Sequence, residues 1–367
     1  MKILFIYPNN ARSVYILSLA ERLKQKNIDV VFLFLCPTGD LQIELEQYGI
    51  VCYNYESGQK GLISQLLKNT LFVLKFARKH KPNCIFSHLH IPNFCAALAG
   101  YFLPKIKVIT CRHHADEFYQ SLNNKGVLLD KSINQLSKNI VVISQKAYEH
   151  LVDIEKVPKK KLTFLPLAYD FEKYIQKDSN KENFIISTCD LSVVFISRLV
   201  SGKRIDSFFP VIQYFKSKGI RIHARIIGEG PLEKDLKQQV EVYNISDCIS
   251  FLGFQKQQDI IPLIQSAHLL VHLSASESSN QVVKEAGYYG KTVVACKGAG
   301  DFDDYLNDSN AYFIENNFTT DDLVAVTEQI LRHPEELQQK GEKLRTVVID
   351  RFTLTDKILN QYLDVLT

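Results

Sequence analysis

The 367-residue sequence predicts an α/β protein built as two domains, each a parallel sheet covered by helices, facing a central ligand cleft. Three observations predict it. Short β-branched apolar runs alternate with helix-period segments along the chain. The strand-like runs are apolar on both faces, as strands of a buried parallel sheet are. The alternation breaks at a polar stretch without periodicity, Lys177–Asn183, and then restarts.

In the first half, Lys2–Tyr7 reads as a strand, and the helical spacing of Val14, Leu17, Ala20 and Leu23 marks a helix over Val14–Lys26. A strand follows at Asp29–Leu35, a helix at Leu62–Lys79 and a short strand at Cys84–Ser87 after the Pro82–Asn83 break. Val108–Cys111 and Ile140–Ser144 complete the first sheet, and Lys159–Lys161 with the following LTFLPLAYDFEKYIQKDSNKEN forms the expected linker. The second half repeats the pattern with strands at Leu191–Ile196, Arg221–Ile227, Ile249–Leu252, Leu269–Leu273 and Thr292–Ala295. A helical stretch from Thr320 to Thr367 opens with Thr320-Asp321-Asp322 as its start signal. The expected domains are residues 1–170, residues 171–350 and a terminal helix over 351–367.

Composition narrows the function classes. Apolar content of 46% and charged content of 23% suit two real cores and no disordered or fibrous architecture. No apolar run approaches the roughly 18 residues of a membrane span. The opening MKILFIYPNN reads as a buried strand rather than a signal-peptide core. Eight cysteines are scattered without a CxxC or zinc spacing, so free thiols in a reducing cytoplasm are expected. Residues 1–170 carry 22 Lys/Arg against 13 Asp/Glu, and residues 171–367 carry 22 against 27. The basic first half suits an anionic partner, a membrane surface or a phosphate-bearing acceptor, or reflects only a different isoelectric point for each domain. Leu62–Lys81, with Lys68, Lys75, Arg78, Lys79 and Lys81, is a basic amphipathic stretch that reads either as a surface helix or as a peripheral membrane contact. The basic residues are otherwise dispersed and lack interleaved aromatics, which argues against nucleic acid.

The segment LLVHLSASESSNQVVKEAGYYGKTVVACKGAG, residues 269–300, carries the chemistry. A strand ends at Leu273, small polar residues from Ser274 follow, and a helix begins near Asn280 and Gln281. Unpaired amides and the helix dipole at such a start attract phosphate. Glu277 precedes the helix and Glu285 lies within it, and a carboxylate accepts hydrogen bonds from a sugar diol. Alone, that spacing of two glutamates is common. Upstream, FISRLVSGKRIDSFF places Arg198 and Lys203 in a loop just past a strand, where two cations suit a diphosphate. IIGEGPLEKDL then places Glu229 between Gly228 and Gly230 at a strand-to-helix turn. Glu233 stops this from extending to GxGxxG, which argues against a nicotinamide-binding fold. FLGF at 251–254 ends another strand with Gly253, where the backbone can approach a base.

The order SRLVSGK, IGEGP, FLGF and S-x-x-E-S-x-N-x4-EA-x3-G-K-x-VV resembles the C-terminal domain of family 4 glycosyltransferases, strongly over residues 190–310 and more faintly over 1–170. The resemblance implies a GT-B fold of two Rossmann-like domains and transfer of a hexose-type sugar with retained configuration. It implies that Arg198 and Lys203 bind the donor diphosphate, Glu285 the ribose and Glu277 the transferred sugar. KGAGDFDDYL resembles the family's Gly-Gly-x3-Glu segment with Asp304 at the acidic position, and FLPLAYD resembles its domain-joining segment with Leu167-Ala168 in place of Asn-Gly. A last helix near Thr355–Leu366 crossing back to the first domain is also implied.

The N-terminal half supplies the acceptor side in such enzymes. VITCRHHADEF places Arg112, His113, His114 and Asp116 past a strand, and a histidine here lies near the reacting centre in the family; His114 is favoured over His113. Such a side chain steadies the leaving phosphate or orients the acceptor hydroxyl. SHLH at 87–90 is a second pair, and a structural role suits His88 and His90 better than catalysis. The four histidines lack a carboxylate or cysteine at ligand spacing, and no metal is expected. Asp301-x-Asp303 in DFDD reads as an acidic loop. One departure stands out: the family's Gly-Gly turn after the first strand is YPNNARSVY here, so Asn9, Asn10 and Ser13 would offer donors in its place.

The expected function is therefore metal-independent glycosyl transfer from a UDP- or GDP-linked sugar, with no other cofactor, to a glycan, lipid-linked or cell-surface polysaccharide acceptor. The enzyme is expected in the cytoplasm, with peripheral membrane contact through its basic half. His114, Arg198, Lys203 and Glu277 are the catalytic candidates. The alternatives are a degenerate GT-B protein that binds a nucleotide sugar or supports a partner, and a nucleotide-sugar epimerase.

Overall fold

The computed structural model describes residues 1–58, 61–113, 124–174, 190–277 and 279–367. The chain forms two compact units, residues 1–170 with 353–367, and residues 171–352.

The first unit is a seven-stranded parallel sheet. Its strands are β1 (Lys2–Tyr7), β2 (Asp29–Phe34), β3 (Val51–Asn54), β4 (Cys84–His88), β5 (Lys107–Arg112), β6 (Asn139–Val142) and β7 (Leu162–Phe164), in the order β3-β2-β1-β4-β5-β6-β7. Ile3 stands opposite both Val30 and Cys84. The connecting helices are α1 (Val14–Gln25), α2 (Asp40–Gln47), α3 (Leu62–His80), α4 (His90–Tyr101), α5 (Asn124–Leu136) and α6 (Gln145–Glu149). β1, β2 and β4 are buried almost throughout, as a sheet covered on both faces requires. Phe5 stacks on Phe32 with centroids 4.7 Å apart and meets Phe86 edge-on at 5.5 Å. Leu4, Ile6, Val31, Leu33 and Ile85 pack against Val73, Phe76 and Ala96 on the other face.

The residues read as the start of a linker, Leu162–Phe164, are instead the edge strand β7, paired through Val142↔Phe164. The polar stretch Lys177–Asn183 lies outside the described residues.

The second unit is a six-stranded parallel sheet in the order β10-β9-β8-β11-β12-β13. Its strands are β8 (Asp190–Ile196), β9 (Arg221–Ile227), β10 (Ile249–Gly253), β11 (Leu269–His272), β12 (Thr292–Cys296) and β13 (Tyr312–Ile314). Its helices are α7 (Phe171–Tyr174), α8 (Phe209–Ser217), α9 (Glu233–Val242), α10 (Gln257–Gln265), α11 (Gln281–Tyr288), α12 (Thr320–Arg332) and α13 (Glu335–Phe352). The terminal helical stretch is therefore interrupted. α12 opens on a capping box between Thr319 and Asp322 and stops at His333, because Pro334 cannot continue its hydrogen bonds. A second break at Thr353–Leu354 ends α13.

Past that break the chain returns to the first unit. Thr353 bridges to Tyr169, and the Leu354 amide donates to the Tyr169 carbonyl at 2.9 Å. The last helix, α14 (Asp356–Leu366), buries Leu359 and Tyr362, whose hydroxyl donates to the Pro166 carbonyl at 2.8 Å. Arg22 pairs with Asp356 at 2.9 Å.

Candidate active site

In each sheet the order reverses once, between β1 and β4 and between β8 and β11. A crevice opens at the carboxyl ends of the strands beside such a reversal, and ligands of open α/β sheets bind there. The candidate donor residues of the second unit cluster at its reversal.

Lys203 sits on a short turn, Ser201–Lys203, after β8, and Glu277 on the loop after β11. The Lys203 ammonium donates to the Glu277 carboxylate and lies 3.4 Å from Ser274 Oγ. His272, the last residue of β11, places Nε2 2.6 Å from the same Glu277 oxygen and 3.1 Å from Asn280 Nδ2. Burial acts to raise the Glu277 pKa, but the hydrogen bond and charge of His272, joined by those of Lys203, outweigh it and hold the carboxyl at about 2. Asn280 caps α11, its Oδ1 accepting from the Val283 amide at 3.0 Å.

A buried ion pair lies beneath this turn. Lys284, fully buried, donates to Asp301, which is 2% exposed. Asp301 also accepts from Ser279 Oγ at 2.9 Å and from the Asn280 amide at 3.4 Å. The Glu277 amide donates to the Ala299 carbonyl. Gly300 has φ +147, and a Cβ there would meet the Glu277 carbonyl oxygen at 1.9 Å, so only glycine permits this approach. DFDD is thus more than an acidic loop: Asp301 points inward to Lys284, while Asp303 accepts from the Gly298 amide at 2.8 Å. The two carboxylates are engaged separately. Asp304 ends the same turn, half-buried.

Glu285 is fully buried and accepts from Gln257 Nε2 at 2.7 Å and from the Gln281 side chain. Gln281, expected at the phosphate, thus turns its side chain to Glu285. Gly228 has φ +130, and a Cβ there would fall 1.9 Å from the Ser197 carbonyl oxygen, which presses this turn against the β8 loop. The Gly228 amide donates to the Gly253 carbonyl at 2.8 Å, and exposed Glu229 accepts from the Phe254 amide at 3.3 Å. Arg198 is exposed on the loop after β8.

The first unit engages several of its candidates internally. Asn10 donates its amide to the Pro37 carbonyl, and Ser13 caps α1 through the Ile16 amide at 3.5 Å. Arg112, read as an acceptor-side group, is only 3% exposed and pairs with Asp130 at 2.9 Å and Glu155 at 2.7 Å. That correction has a plain cause: Arg112 is the buried end of β5, and a buried guanidinium must be paired. His113 Nε2 lies 2.9 Å from His88 Nδ1. Burial, then the neighbouring His90 charge, lowers the His113 pKa to about 4, and burial holds His88 well below its ordinary value. Donor atoms of His88, Cys111 and His113 lie within 4.8 Å of one another, a grouping that could hold a metal and that the sequence reading did not find. Its two facing nitrogens already share a hydrogen bond, and burial pushes the Cys111 thiol up, away from the thiolate. His114 and Asp116 lie outside the described residues.

The family description Glycosyltransferase Family 4 matches residues 13–173, and Glycosyl transferases group 1 matches residues 176–347. The chain belongs to glycosyltransferase family 4. Among curated relatives, this family 4 chain is 28% identical over 162 residues to the phosphatidylinositol N-acetylglucosaminyltransferase gpi3 subunit of Schizosaccharomyces pombe, covering 44% of this chain and 34% of that one. It is 25% identical over 171 residues to the poly(ribitol-phosphate) alpha-N-acetylglucosaminyltransferase of Staphylococcus aureus, covering 46% and 34%. The aligned regions span about a third of these relatives. The D-inositol 3-phosphate glycosyltransferase of Mycolicibacterium smegmatis matches over 315 residues at 21% identity, covering 78% and 71%. Among solved structures, HepE of Anabaena in complex with UDP and glucose superposes with a TM-score of 0.83 at 18% identity, covering 100% of this chain and 99% of that one. The fold is GT-B.

Three residues of the candidate site in the second unit escaped the sequence reading: His272, Lys284 and Asp301. His272 carried a signal, a polar residue closing the apolar run LLVH. Arg204 was also missed. It donates to the Leu273 and Asn316 carbonyls, each at 2.7 Å, and ties the β8 loop to the end of β11.

Proposed function

We propose that the chain transfers a hexose-type sugar from a nucleoside-diphosphate donor to a glycan or lipid-linked acceptor. The observation that carries this is the convergence of Lys203, Glu277 and His272 at the sheet reversal of the second unit. Lys203 and Arg198 neutralise the departing diphosphate, aided by the first-turn amides of α11, which helix geometry leaves without intrahelical acceptors. Charge that develops in the transition state is thereby met by groups already in place. Glu277, ionised at all working pH values, holds sugar hydroxyls, and His272 fixes its orientation. Glu285, steadied by Gln257 and Gln281, is assigned to the ribose.

A uridine base is supported by the HepE structure, which holds UDP and glucose. Retention of configuration follows the family resemblance. No metal is assigned a role, because Lys203, Arg198 and the helix start supply the positive charge. The acceptor side is assigned to the first unit, with His113 or His114 at the reacting hydroxyl. A lipid-linked acceptor would bring the enzyme to a membrane surface, which the basic balance of residues 1–170 suits.

The test is release of nucleoside diphosphate by the purified chain from a panel of UDP- and GDP-sugars, with and without EDTA. Turnover that Lys203→Ala abolishes supports the assignment. Donor binding without turnover over a broad acceptor panel favours the degenerate reading, which the missing glycine turn at Asn9-Asn10 motivates.

A further inference from the structure

The residue after Lys203 is Arg204, half-buried, with φ 50 and ψ 37. This is left-handed backbone, which glycine enters freely and a residue with a side chain enters at a cost. The guanidinium is bonded on every side. Nε donates to the Leu273 carbonyl at 2.7 Å, Nη1 to the Asn316 carbonyl at 2.7 Å and Nη2 to Asn316 Oδ1 at 2.6 Å. Nη2 also lies 3.3 Å from Cys296 Sγ. Leu273 follows β11, Cys296 ends β12 and Asn316 follows β13. β8, β11, β12 and β13 lie side by side in that order, so one planar fork from the β8 loop crosses the carboxyl ends of three strands.

These bonds bracket Lys203. On one side of it, the Gly202 carbonyl accepts from the Ala275 amide at 2.9 Å. On the other, the Arg204 side chain holds the Leu273 carbonyl. Asn316 closes the ring: its Nδ2 donates to the Ala275 carbonyl at 3.0 Å, while its two oxygens accept from Arg204. The Lys203 backbone is thereby fixed against Leu273–Ala275, the segment that leads into Glu277. A lysine ammonium rides on a flexible four-carbon stem, so its place is set only as well as its backbone is held. Glycine would take this backbone conformation without strain, so what the arginine adds is its fork.

We infer that Arg204 is a positioning residue, which sets Lys203 against Glu277 without itself touching the donor. The inference rests on the assignment of Lys203 and Glu277 to the donor and deepens it.

The test starts from Arg204→Gly, which keeps the backbone shape and removes the fork, with Arg204→Lys as a milder variant that keeps one cation. Hydrogen exchange of residues 201–205 and 273–277 is followed first, with no donor present. Both segments are expected to exchange about tenfold faster or more in Arg204→Gly, while the first unit exchanges as in the wild type. Transfer is then expected to fall about tenfold to a hundredfold in kcat, with donor KM changed much less. Guanidinium at a concentration too low to unfold the chain should restore protection and turnover in Arg204→Gly and neither in Lys203→Ala. Unchanged exchange in both variants, or faster exchange with wild-type kcat, overturns the inference. A loss of kcat that guanidinium leaves untouched also overturns it, and makes Arg204 a fold tether only. If Arg204→Gly does not fold, Arg204→Lys decides by exchange and kcat. A wild-type chain that turns over no donor sinks the transfer reading, while the exchange measurement still decides whether Arg204 fixes the two loops.

Discussion

His272 Nε2 and Glu277 Oε1 lie 2.6 Å apart at the end of β11, and the Lys203 ammonium closes on the same carboxylate oxygen. A strand end, a loop after a neighbouring strand and the turn before a helix thus meet at one acidic group. The two donors hold the carboxylate in one orientation and keep it ionised.

Glu277→Gln removes the charge while keeping the shape. It is expected to lower transfer by roughly a hundredfold or more, in kcat rather than in donor affinity, because its contribution is assigned to the sugar in the transition state. His272→Asn keeps a polar group but loosens the carboxylate, and a smaller loss is expected. Steady-state kinetics of the two variants decide this; equal and near-wild-type turnover would remove Glu277 from the mechanism.

The Lys284–Asp301 pair calls for a different experiment, because both partners are buried. Lys284→Met alone leaves a buried carboxylate without its cation, and Asp301→Asn alone leaves a buried ammonium; each is expected to cost about 3–5 kcal/mol. The double variant restores neutrality and should recover much of that stability in urea titrations. Asp301 also holds Ser279 and the Asn280 amide, so the double variant should bind donor more weakly even where its stability has returned. A double variant with wild-type affinity would reduce the pair to core packing.

Part of this candidate site is legible in the sequence because its residues are local to strand ends. Lys203 and Glu277 each follow an apolar strand within a few residues, and a charged side chain there is conspicuous. The Lys284–Asp301 pair joins two segments through the fold itself, and only its tertiary context separates it from a surface lysine and an acidic loop. Arg112 misled for the same reason: its partners Asp130 and Glu155 come from elements far along the chain. Among the elements, β1 and β8 to β12 announced themselves by β-branched apolar runs. α4 did not, because His90–Tyr101 buries His90, Pro92, Asn93, Cys95, Ala96, Ala97 and Ala99 and so lacks the polar period of a surface helix. The edge strands β3 and β7 are short and largely exposed, which leaves them little apolar pattern.

Two half-buried histidines with lowered pKa values make stability depend on pH. Burial, and then neighbouring charge from Lys291 and Arg225, lowers His268 to about 4, and burial with the His90 charge lowers His113 to about 4, against an ordinary value of 6.5. Between those values the unfolded chain binds a proton at each site that the folded chain refuses. Stability is therefore greatest above pH 6.5 and falls as pH drops toward 4, by up to about 1.4 kcal/mol per pH unit for His113 and by less for His268, which solvent screens in part. Glu277 adds its loss in a lower window: its depressed carboxyl stabilises the fold above pH 4.5, and that contribution fades as pH falls toward about 2. Thermal melts should thus be nearly level from pH 7 to 6.5 and fall from there to pH 5 by up to a few degrees per unit. His268→Asn keeps an acceptor for the Ser192 amide, now met by His268 Nδ1 at 2.8 Å, and should flatten the slope by about one proton. A melting temperature that does not move between pH 7 and 5, in either chain, would show that these imidazoles titrate alike folded and unfolded.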